Sequence, residues 1–148
     1  MISIHQGKEE DLPEVLELVK ELAIYEHALE EVENTVEKMK EDGFGKEPVF
    51  GFLLAKENGV AIGLSLYYFR YSTWKGKRLF LEDLIVKEAH RSKGVGKLLL
   101  DETISKAKSL NCTGMMWQVL DWNEPAINFY KKYGARLDNE WINCHLDF

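Results

Sequence analysis

The chain has 148 residues, a length that suits one hydrophobic core but not two ordinary domains, so we expect a single domain over residues 1–148. Hydrophobic residues make up 45% of the sequence and only 3 residues are proline, a composition that excludes a disordered or fibrous protein. The net charge is −6, and residues 1–42 hold 13 acidic residues against 4 lysines, a balance that argues against a nucleic-acid partner and suits a cationic ligand.

Membrane, disulfide and metal-binding classes are also disfavoured. No run approaches the ~18 apolar residues of a membrane span, and residues 1–12 lack the apolar core of a signal peptide, so we expect a cytoplasmic protein. Reducing conditions there make a disulfide between Cys112 and Cys144 improbable. We expect no metal site, because the histidines are scattered and no two of them are spaced like metal ligands; they are His5, His27, His90 and His145.

The first third of the chain predicts a short strand followed by two helices. The strand covers residues 2–7, and Glu10 or Asp11 caps a helix with Pro13 in its first turn. Apolar residues recur in that helix every three or four positions, which predicts one buried stripe made of Leu12, Val15, Leu16, Val19, Leu22 and Ala23. The second helix begins at Asn34 or Thr35 and stops at Gly43.

The remainder predicts a meander and then two strand–helix units. Residues 49–57 and 60–71 read as strands joined by a hairpin turn at Asn58-Gly59, and 77–88 as a third strand. A glycine loop with its helix, a strand over 113–120, a helix over 126–134 and a hairpin around Asp138-Asn139 follow. The order predicts an α/β fold whose central sheet is mixed but mostly antiparallel and flanked by helices.

The glycine loop RSKGVGKL, residues 91–98, carries the main functional signal. A Walker loop requires glycine at position 91 and a hydroxyl residue at position 98, where this sequence has Arg91 and Leu98. A dinucleotide-binding fingerprint requires glycine at position 99, where this sequence has Leu99, so the loop matches neither motif. What remains is RxxGxG at a strand-to-helix junction. Glycines there let the backbone approach a ligand, and the helix N-terminus presents unpaired N–H groups to an anion, although the same pattern also occurs in a plain tight turn.

Six blocks in order indicate a family. They are ELAIYE at 21–26, EDGFG at 41–45, LYYFRY at 66–71 with Trp74, FLEDLIV at 80–86, RSKGVG at 91–96 and WNEPAINFYKKYGA at 122–135. With these blocks the sequence resembles the GNAT superfamily of acyl-CoA N-acyltransferases. It is most similar to the diamine acetyltransferase branch, which includes the spermidine/spermine and thialysine acetyltransferases. The resemblance implies the GNAT fold and an acetyl-CoA-dependent N-acetyltransferase.

The resemblance also implies how acetyl-CoA is held. The strand that carries Leu84, Ile85 and Val86 splays from its neighbour and offers backbone groups to the pantetheine arm. The glycine loop cradles the pyrophosphate with Arg91, Ser92, Lys93, Gly94, Val95, Gly96 and Lys97. A second contact surface lies at the start of the next helix, at Asn123, Pro125, Ala126 and Asn128.

The chemistry is the attack of an amine on a thioester, and the amine must first lose its proton because an alkylammonium has a pKa of about 10.4. By resemblance Tyr130 is the general acid for the leaving sulfur, and Glu82 anchors or deprotonates the amine, directly or through a water. Asp83 is the weaker candidate, because adjacent strand residues face opposite sides and we expect only one carboxylate to point into the site. Tyr25 and Glu26 match residues that line the acceptor groove.

The favoured acceptor is a small polyamine or diamine such as spermidine, which the acidic N-terminal residues suit. The alternative is an amino acid such as thialysine, lysine or ornithine, which a cationic residue in the groove, Arg70 or Lys75, would favour. An acyl-CoA sensor without catalysis and a protein-acetylating enzyme are more remote readings. Relatives form homodimers, so we expect a homodimer. Relatives also continue beyond the last strand, where this sequence stops at Phe148, with a segment that helps complete the dimer and the acceptor groove.

Overall fold

A computed structural model describes all residues, 1–148, which divide into two compact units, Met1–Trp117 and Gln118–Phe148. Five strands and four helices follow one another along the chain: β1 Ile2–Gln6, α1 Leu12–Tyr25, α2 Val36–Phe44, β2 Gly51–Glu57, β3 Val60–Ser72, β4 Gly76–Val86, α3 Val95–Ser109, β5 Met115–Trp117 and α4 Glu124–Lys131. Short 3-10 turns lie at Glu9–Asp11, Leu29–Glu31 and Glu88–His90. The expectation of a single domain stays a prediction.

The five strands form one sheet in the order β1-β2-β3-β4-β5. The first three pairings are antiparallel, and β5 is parallel to β4. This confirms the predicted α/β fold with a mixed, mostly antiparallel sheet. The parallel pairing follows from the connection, because α3 carries the chain back across the sheet before β5 begins.

Helices cover both faces of this sheet. On one face, α1 and α2 bury Leu12, Val15, Leu16, Leu18 and Met39 against strand residues that include Phe52, Leu54, Leu64, Leu66 and Ile85. The predicted stripe of α1 is confirmed, with Val19 and Leu22 packed at its edge. On the other face α3 lies so close to β3 that a Cβ at Gly63 would stand 2.9 Å from Leu99 Cδ1. A buried hydroxyl pair, Ser65 Oγ and Thr103 Oγ1 at 2.6 Å, joins the same two elements.

Several turn and cap predictions are confirmed. Pro13 lies in the first turn of α1, as predicted, and Asp11 occupies the N-cap position, but its carboxylate does not cap the helix. It accepts hydrogen bonds from the backbone N–H of Lys8 at 2.9 Å and from Lys56 Nζ at 3.0 Å instead. Thr35 caps α2, its Oγ1 accepting a hydrogen bond from the backbone N–H of Lys38 at 3.1 Å. Asn58 and Gly59 adopt φ values of 52° and 78°, the left-handed conformation that a two-residue hairpin between β2 and β3 requires.

The structure differs from prediction toward the C-terminus. The predicted strand over 113–120 is ordered as a strand only at Met115–Trp117. The hairpin predicted around Asp138-Asn139 is wrong, because residues 135–148 contain neither strand nor helix. The side-chain oxygen of Asp138 instead accepts a hydrogen bond from the backbone N–H of Glu140 at 3.0 Å, so this pair forms a local turn. No helix in the chain has the length and apolar character required to cross a lipid bilayer.

Candidate active site

A β-bulge in β4 positions the two adjacent carboxylates. Leu66 of β3 pairs with Asp83, but its neighbour Tyr67 pairs with Leu81, so Glu82 is an extra residue without a partner on β3. A bulge interrupts the alternation of side chains along a strand and bends the strand locally. The expectation that Glu82 and Asp83 face opposite sides of the sheet assumed a regular strand, and the strand is not regular here.

The structure places both carboxylates on the sheet face that carries α1. Tyr68 and Leu66 share that face, because they are two residues apart on β3. The Tyr68 hydroxyl donates a hydrogen bond to Glu82 Oε1 at 3.3 Å, and Asp83 lies opposite Leu66. The two side chains therefore do not face opposite sides of the sheet, and the bulge is the physical reason. Which of the two acids acts on the substrate stays a prediction.

Asp83 is the carboxyl with the strongly shifted protonation equilibrium. Burial raises its pKa to about 7, and the negative charges of Glu82 and Glu26 contribute further to the rise. Burial also raises the pKa of Glu26, at the end of α1. These three acids form an acidic cluster, in which Asp83 exchanges a proton near neutral pH while Glu82, which is exposed, carries the neighbouring charge.

The end of α1 also contacts the glycine loop. The guanidinium of Arg91 lies over the Tyr25 ring, with Cζ 5.0 Å from the ring centre. Arg91 Nε donates a hydrogen bond to the backbone carbonyl of Val86 at 3.1 Å. The predicted groove residue Tyr25 and the predicted loop residue Arg91 are thus in direct contact. The next residue, Glu26, belongs to the acidic cluster.

One edge of β4 is open over the residues expected to contact pantetheine. The pairing of β4 with β5 covers only Leu79–Leu81, whereas β4 continues to Val86. The predicted segment Leu84, Ile85 and Val86 therefore has β3 on one side and no sheet strand on the other. Its outward backbone groups can act as hydrogen-bond donors and acceptors for a ligand.

The glycine loop has the backbone of an anion-binding site. Ser92 and Gly94 adopt φ values of 65° and 81°, and Gly94 is the N-cap residue of α3. Successive N–H groups in such a turn, next to a helix N-terminus, converge on an anion. A Cβ added at Gly94 would meet no atom within 4 Å, so the space beside this backbone is open to a ligand. This arrangement fits the pyrophosphate of acetyl-CoA.

The charged side chains of the loop serve different purposes. Lys93 is exposed beside the loop backbone, and Lys97 pairs with Asp101 one helical turn on, with Nζ 2.6 Å from Oδ2. Val95 is buried and anchors the first turn of α3, while Gly96 is partly buried behind it. Ser92 and Lys93 are therefore the loop side chains most open to an incoming phosphate.

The second unit carries the remaining predicted residues. Asn123 is the N-cap of α4, with Oδ1 accepting a hydrogen bond from the backbone N–H of Ala126 at 3.3 Å, and Pro125 occupies the first turn. Asn128 is exposed on this helix, and Tyr130 near its end is partly buried, with its ring 5.5 Å from that of Phe129.

Two residues near the acids, Tyr68 and Phe80, escaped the sequence-based assignment, and Arg70 was named only as a possible cation of the groove. Tyr68 binds Glu82, Phe80 stacks on Tyr68 with ring centres 5.2 Å apart, and Arg70 lies over Phe80. The period-two spacing of Tyr68 and Arg70 within LYYFRY was a usable signal. His90 is partly buried, with Nε2 3.4 Å from Glu57 Oε1. No group of three or more His, Cys, Asp or Glu side chains is arranged to hold a metal ion.

A comparison with known proteins bears on this geometry. The sequence profile described as the acetyltransferase (GNAT) family matches residues 12–135, which include the bulge, the open edge of β4 and the glycine loop. The chain belongs to the GNAT acetyltransferase family. It is a GNAT-family N-acetyltransferase, and enzymes of this family use acetyl-CoA.

Individual GNAT relatives agree with this membership. The chain is 36% identical over 143 residues to a thialysine N-epsilon-acetyltransferase of Bos taurus, covering 91% of this chain and 84% of the relative. It is 37% identical over 139 residues to spermidine/spermine N(1)-acetyltransferase-like protein 1 of Homo sapiens, covering 89% of this chain and 20% of that protein. The fold matches an aminoglycoside acetyltransferase from an uncultured soil metagenomic sample, with a TM-score of 0.81, 16% identity and 99% and 96% of the two chains covered.

Proposed function

We propose that this GNAT enzyme transfers the acetyl group of acetyl-CoA to a primary amine of a small diamine or polyamine, such as spermidine, by direct attack in a ternary complex. The acidic cluster of Glu26, Glu82 and Asp83 carries the proposal. Three carboxylates around a half-buried position attract an ammonium group, and the aromatic rings of Tyr25 and Tyr68 suit a cation as well.

Asp83 and Glu82 have different proposed roles toward the amine. Glu82 anchors the ammonium by its negative charge, since its carboxylate is exposed and held by Tyr68. Asp83 has a pKa of about 7, so at neutral pH it accepts the ammonium proton, directly or through a water, with less loss of driving force than an ordinary aspartate. This keeps Glu82 as the proposed anchor and makes Asp83 the stronger proposal for the proton acceptor.

The proposed cofactor contacts involve three segments of the chain. Backbone groups of Leu84–Val86 bind the pantetheine arm along the open edge of β4, and an N–H there stabilises the negative charge that develops on the thioester oxygen. The loop from Arg91 to Lys97 binds the pyrophosphate. Asn123, Ala126 and Asn128 supply the second contact surface, a role that rests on their place in the family motif.

Acetyl-CoA supplies an activated acetyl thioester, and its thiolate leaves when the amine nitrogen bonds to the acetyl carbon. Tyr130 donates its phenolic proton to that sulfur in the proposed mechanism. This role rests on the position of Tyr130 in WNEPAINFY, where the family has its acid.

Diamino acids are a second candidate class of acceptor. A relative that matches 91% of this chain is named as a thialysine N-epsilon-acetyltransferase, and a cation, Arg70, lies over Phe80 on the sheet face that carries the acidic cluster. An amino acid such as thialysine, lysine or ornithine presents a terminal ammonium to the acids and a carboxylate to the cation. A polyamine has no group that uses Arg70.

The test measures release of free thiol from acetyl-CoA with spermidine, spermine, putrescine, thialysine, lysine and ornithine in parallel, each against a reaction without amine. Higher kcat/KM for the polyamines supports the first acceptor class, and higher kcat/KM for the amino acids supports the second. Thiol release that no amine accelerates would overturn the proposed small-molecule function and favour a protein substrate or an acyl-CoA sensor.

Two further expectations belong to this proposal. We propose a homodimer, as in relatives of the diamine acetyltransferase branch, and a cytoplasmic location. Large exposed aromatic side chains, among them Trp74 at 85% and Trp141 at 77% exposure, are consistent with a protein interface. Sedimentation velocity at several protein concentrations measures the oligomeric state, and a single species with the 17.1 kDa mass of one chain would contradict the dimer.

A further inference from the structure

An arginine lies on the same face of the sheet as the acidic cluster. Arg70 is two residues beyond Tyr68 on β3, so both side chains project from this face. The guanidinium carbon of Arg70 stands 5.9 Å from the centre of the Phe80 ring, on which Tyr68 also stacks. Arg70 Nη1 lies 2.9 Å from Met116 Sδ. These contacts hold an exposed guanidinium in a defined place.

Tyr68 connects this cation to the acids. Its hydroxyl binds Glu82, and its pKa is raised by burial and by the charge and hydrogen bond of Glu82, while the positive charge of Arg70 opposes the rise. The charges of Glu82 and Arg70 therefore both act on this hydroxyl, in opposite directions. Arg70 contacts the Phe80 ring on which Tyr68 stacks, and the Tyr68 hydroxyl contacts Glu82. A positive and a negative group therefore lie toward opposite ends of this ring pair on one face of the sheet.

The arginine has no carboxylate partner in the chain. The salt bridges of the structure involve other cations, namely Lys40, Lys56, Lys87, His90, Lys97 and Arg136. A polyamine bound at Glu82 and Asp83 would be repelled by a nearby guanidinium. An acceptor with a carboxylate at its far end would instead pair with it, and the planar fork of arginine binds a carboxylate through two parallel hydrogen bonds.

We propose that Arg70 is a specificity-determining residue that binds the carboxylate of a diamino-acid acceptor while Glu82 and Asp83 hold the terminal amine. This proposal rests on the proposed acetyl transfer to a primary amine and selects between its two acceptor classes. The ligand it implies is an amine that also carries a carboxylate, with the two groups bound toward opposite ends of the Tyr68–Phe80 ring pair.

Arg78 is the cross-strand partner of Arg70 and shares its face of the sheet. Its guanidinium is engaged with β5, because Nη2 donates a hydrogen bond to the backbone carbonyl of Met115 at 3.2 Å.

The lysines of the β3–β4 hairpin are in different positions. Lys75 lies in the turn between the strands, where its backbone N–H donates to Ser72 Oγ at 3.0 Å. Lys77 projects from the opposite face of the sheet, with Nζ 5.3 Å from the centre of the Phe69 ring. Lys77 is therefore a matched control, because its loss removes one charge from the same hairpin without touching the face of the acidic cluster.

The experiment uses acceptor pairs that differ only by the carboxylate: ornithine with putrescine, and lysine with cadaverine. The intact enzyme, Arg70→Met, Arg70→Lys and Lys77→Met are compared by thiol release, and the folded state of each is checked by circular dichroism. Arg70→Met should lower kcat/KM for ornithine and lysine by about ten- to hundredfold, as expected for losing a charged hydrogen-bond pair, and leave or raise it for the two diamines. Arg70→Lys should recover part of the loss, and Lys77→Met should change neither ratio.

The outcomes separate this proposal from the proposed function. An equal fall for both members of each pair, or no change with either, would overturn the role of Arg70 while acetyl transfer to amines stands. If Arg70→Met is unfolded, Arg70→Lys decides, because the loss of fork geometry should still lower the lysine-to-cadaverine ratio. An intact enzyme that acetylates none of the four amines would overturn the proposed function and the Arg70 proposal with it.

Discussion

The guanidinium of Arg91 lies 5.0 Å from the centre of the Tyr25 ring, so the loop proposed to bind pyrophosphate rests on the helix that ends in the proposed acceptor groove. Arg91 also binds the Val86 carbonyl at the end of β4. One side chain therefore joins the end of α1, the end of β4 and the glycine loop. A substitution at Tyr25 should therefore affect the binding of acetyl-CoA as well as that of the amine.

Replacing Tyr25 by Leu should weaken acetyl-CoA binding about two- to fivefold, because the cation–π contact that orients Arg91 is lost. Tyr25→Phe keeps the aromatic face and should bind acetyl-CoA like the unmodified enzyme. Isothermal titration calorimetry gives both dissociation constants. Equal affinity for acetyl-CoA in all three proteins would show that the stacking does not orient the loop.

Replacing Asp83 by Asn should abolish the rise of kcat/KM with pH that is centred near 7. The rise is expected because Asp83 must lose its proton, with a pKa of about 7, before it accepts one from the amine. Glu82→Gln removes a charge that raises the pKa of Asp83, so it should move the rise to lower pH. Profiles from pH 5 to 9 measure these shifts, with Asp42→Asn on α2 as the control. A rise unchanged in Asp83→Asn would assign it to another group.

The same aspartate makes the fold less stable as pH increases. Its folded-state pKa, about 7, exceeds the 3.8 of an aspartate in water, so between these pH values the folded chain holds a proton that the unfolded chain has released. The free energy of unfolding contributed by Asp83 therefore falls as pH rises from about 4 to 7 and is level above. Asp83→Asn should gain stability relative to the unmodified chain at pH 8 but not at pH 4, in urea unfolding at both pH values. A gain of equal size at both would contradict this.

Replacing Gly94 by Ala should weaken acetyl-CoA binding, because the added Cβ occupies the open space beside the proposed pyrophosphate site. Gly59→Ala is the matched control, since Gly59 has a similar φ of 78° against 81° and also no atom within 4 Å of an added Cβ. Both changes should cost about 1–2 kcal/mol of stability from left-handed backbone strain. Only Gly94→Ala should lose affinity in calorimetry, and equal affinities would remove this loop from the cofactor site.

Replacing Tyr130 by Phe should lower kcat while the dissociation constant of acetyl-CoA changes little, because only the phenolic hydroxyl, the proposed proton donor, is removed. Tyr133→Phe, three residues further along, is the control and should keep its kcat. The comparison uses saturating amine and acetyl-CoA in the thiol-release assay. A Tyr130→Phe enzyme with full kcat would take this residue out of the mechanism.

Local signals explain why much of the fold was predictable. Asn58-Gly59 makes the turn between β2 and β3 because both residues tolerate positive φ, and Thr35 caps α2 because its hydroxyl reaches an unpaired N–H. These effects act over a few residues of chain. The hairpin expected at Asp138-Asn139 failed because a turn sequence forms a hairpin only when its flanking strands find a sheet to join.

The linear order of residues was sufficient to identify the glycine loop, the family blocks and the acidic pair, since each is a short motif whose chemistry depends on residue type and spacing. Tertiary structure decided how the acids are used. The bulge at Glu82 is set by pairing with β3, and the pKa of Asp83 depends on burial and on Glu26, which is far away in sequence. Contacts such as Arg91 with Tyr25, and Arg70 with Phe80, arise only when the packed chain brings separate elements together, because charge and burial act through space.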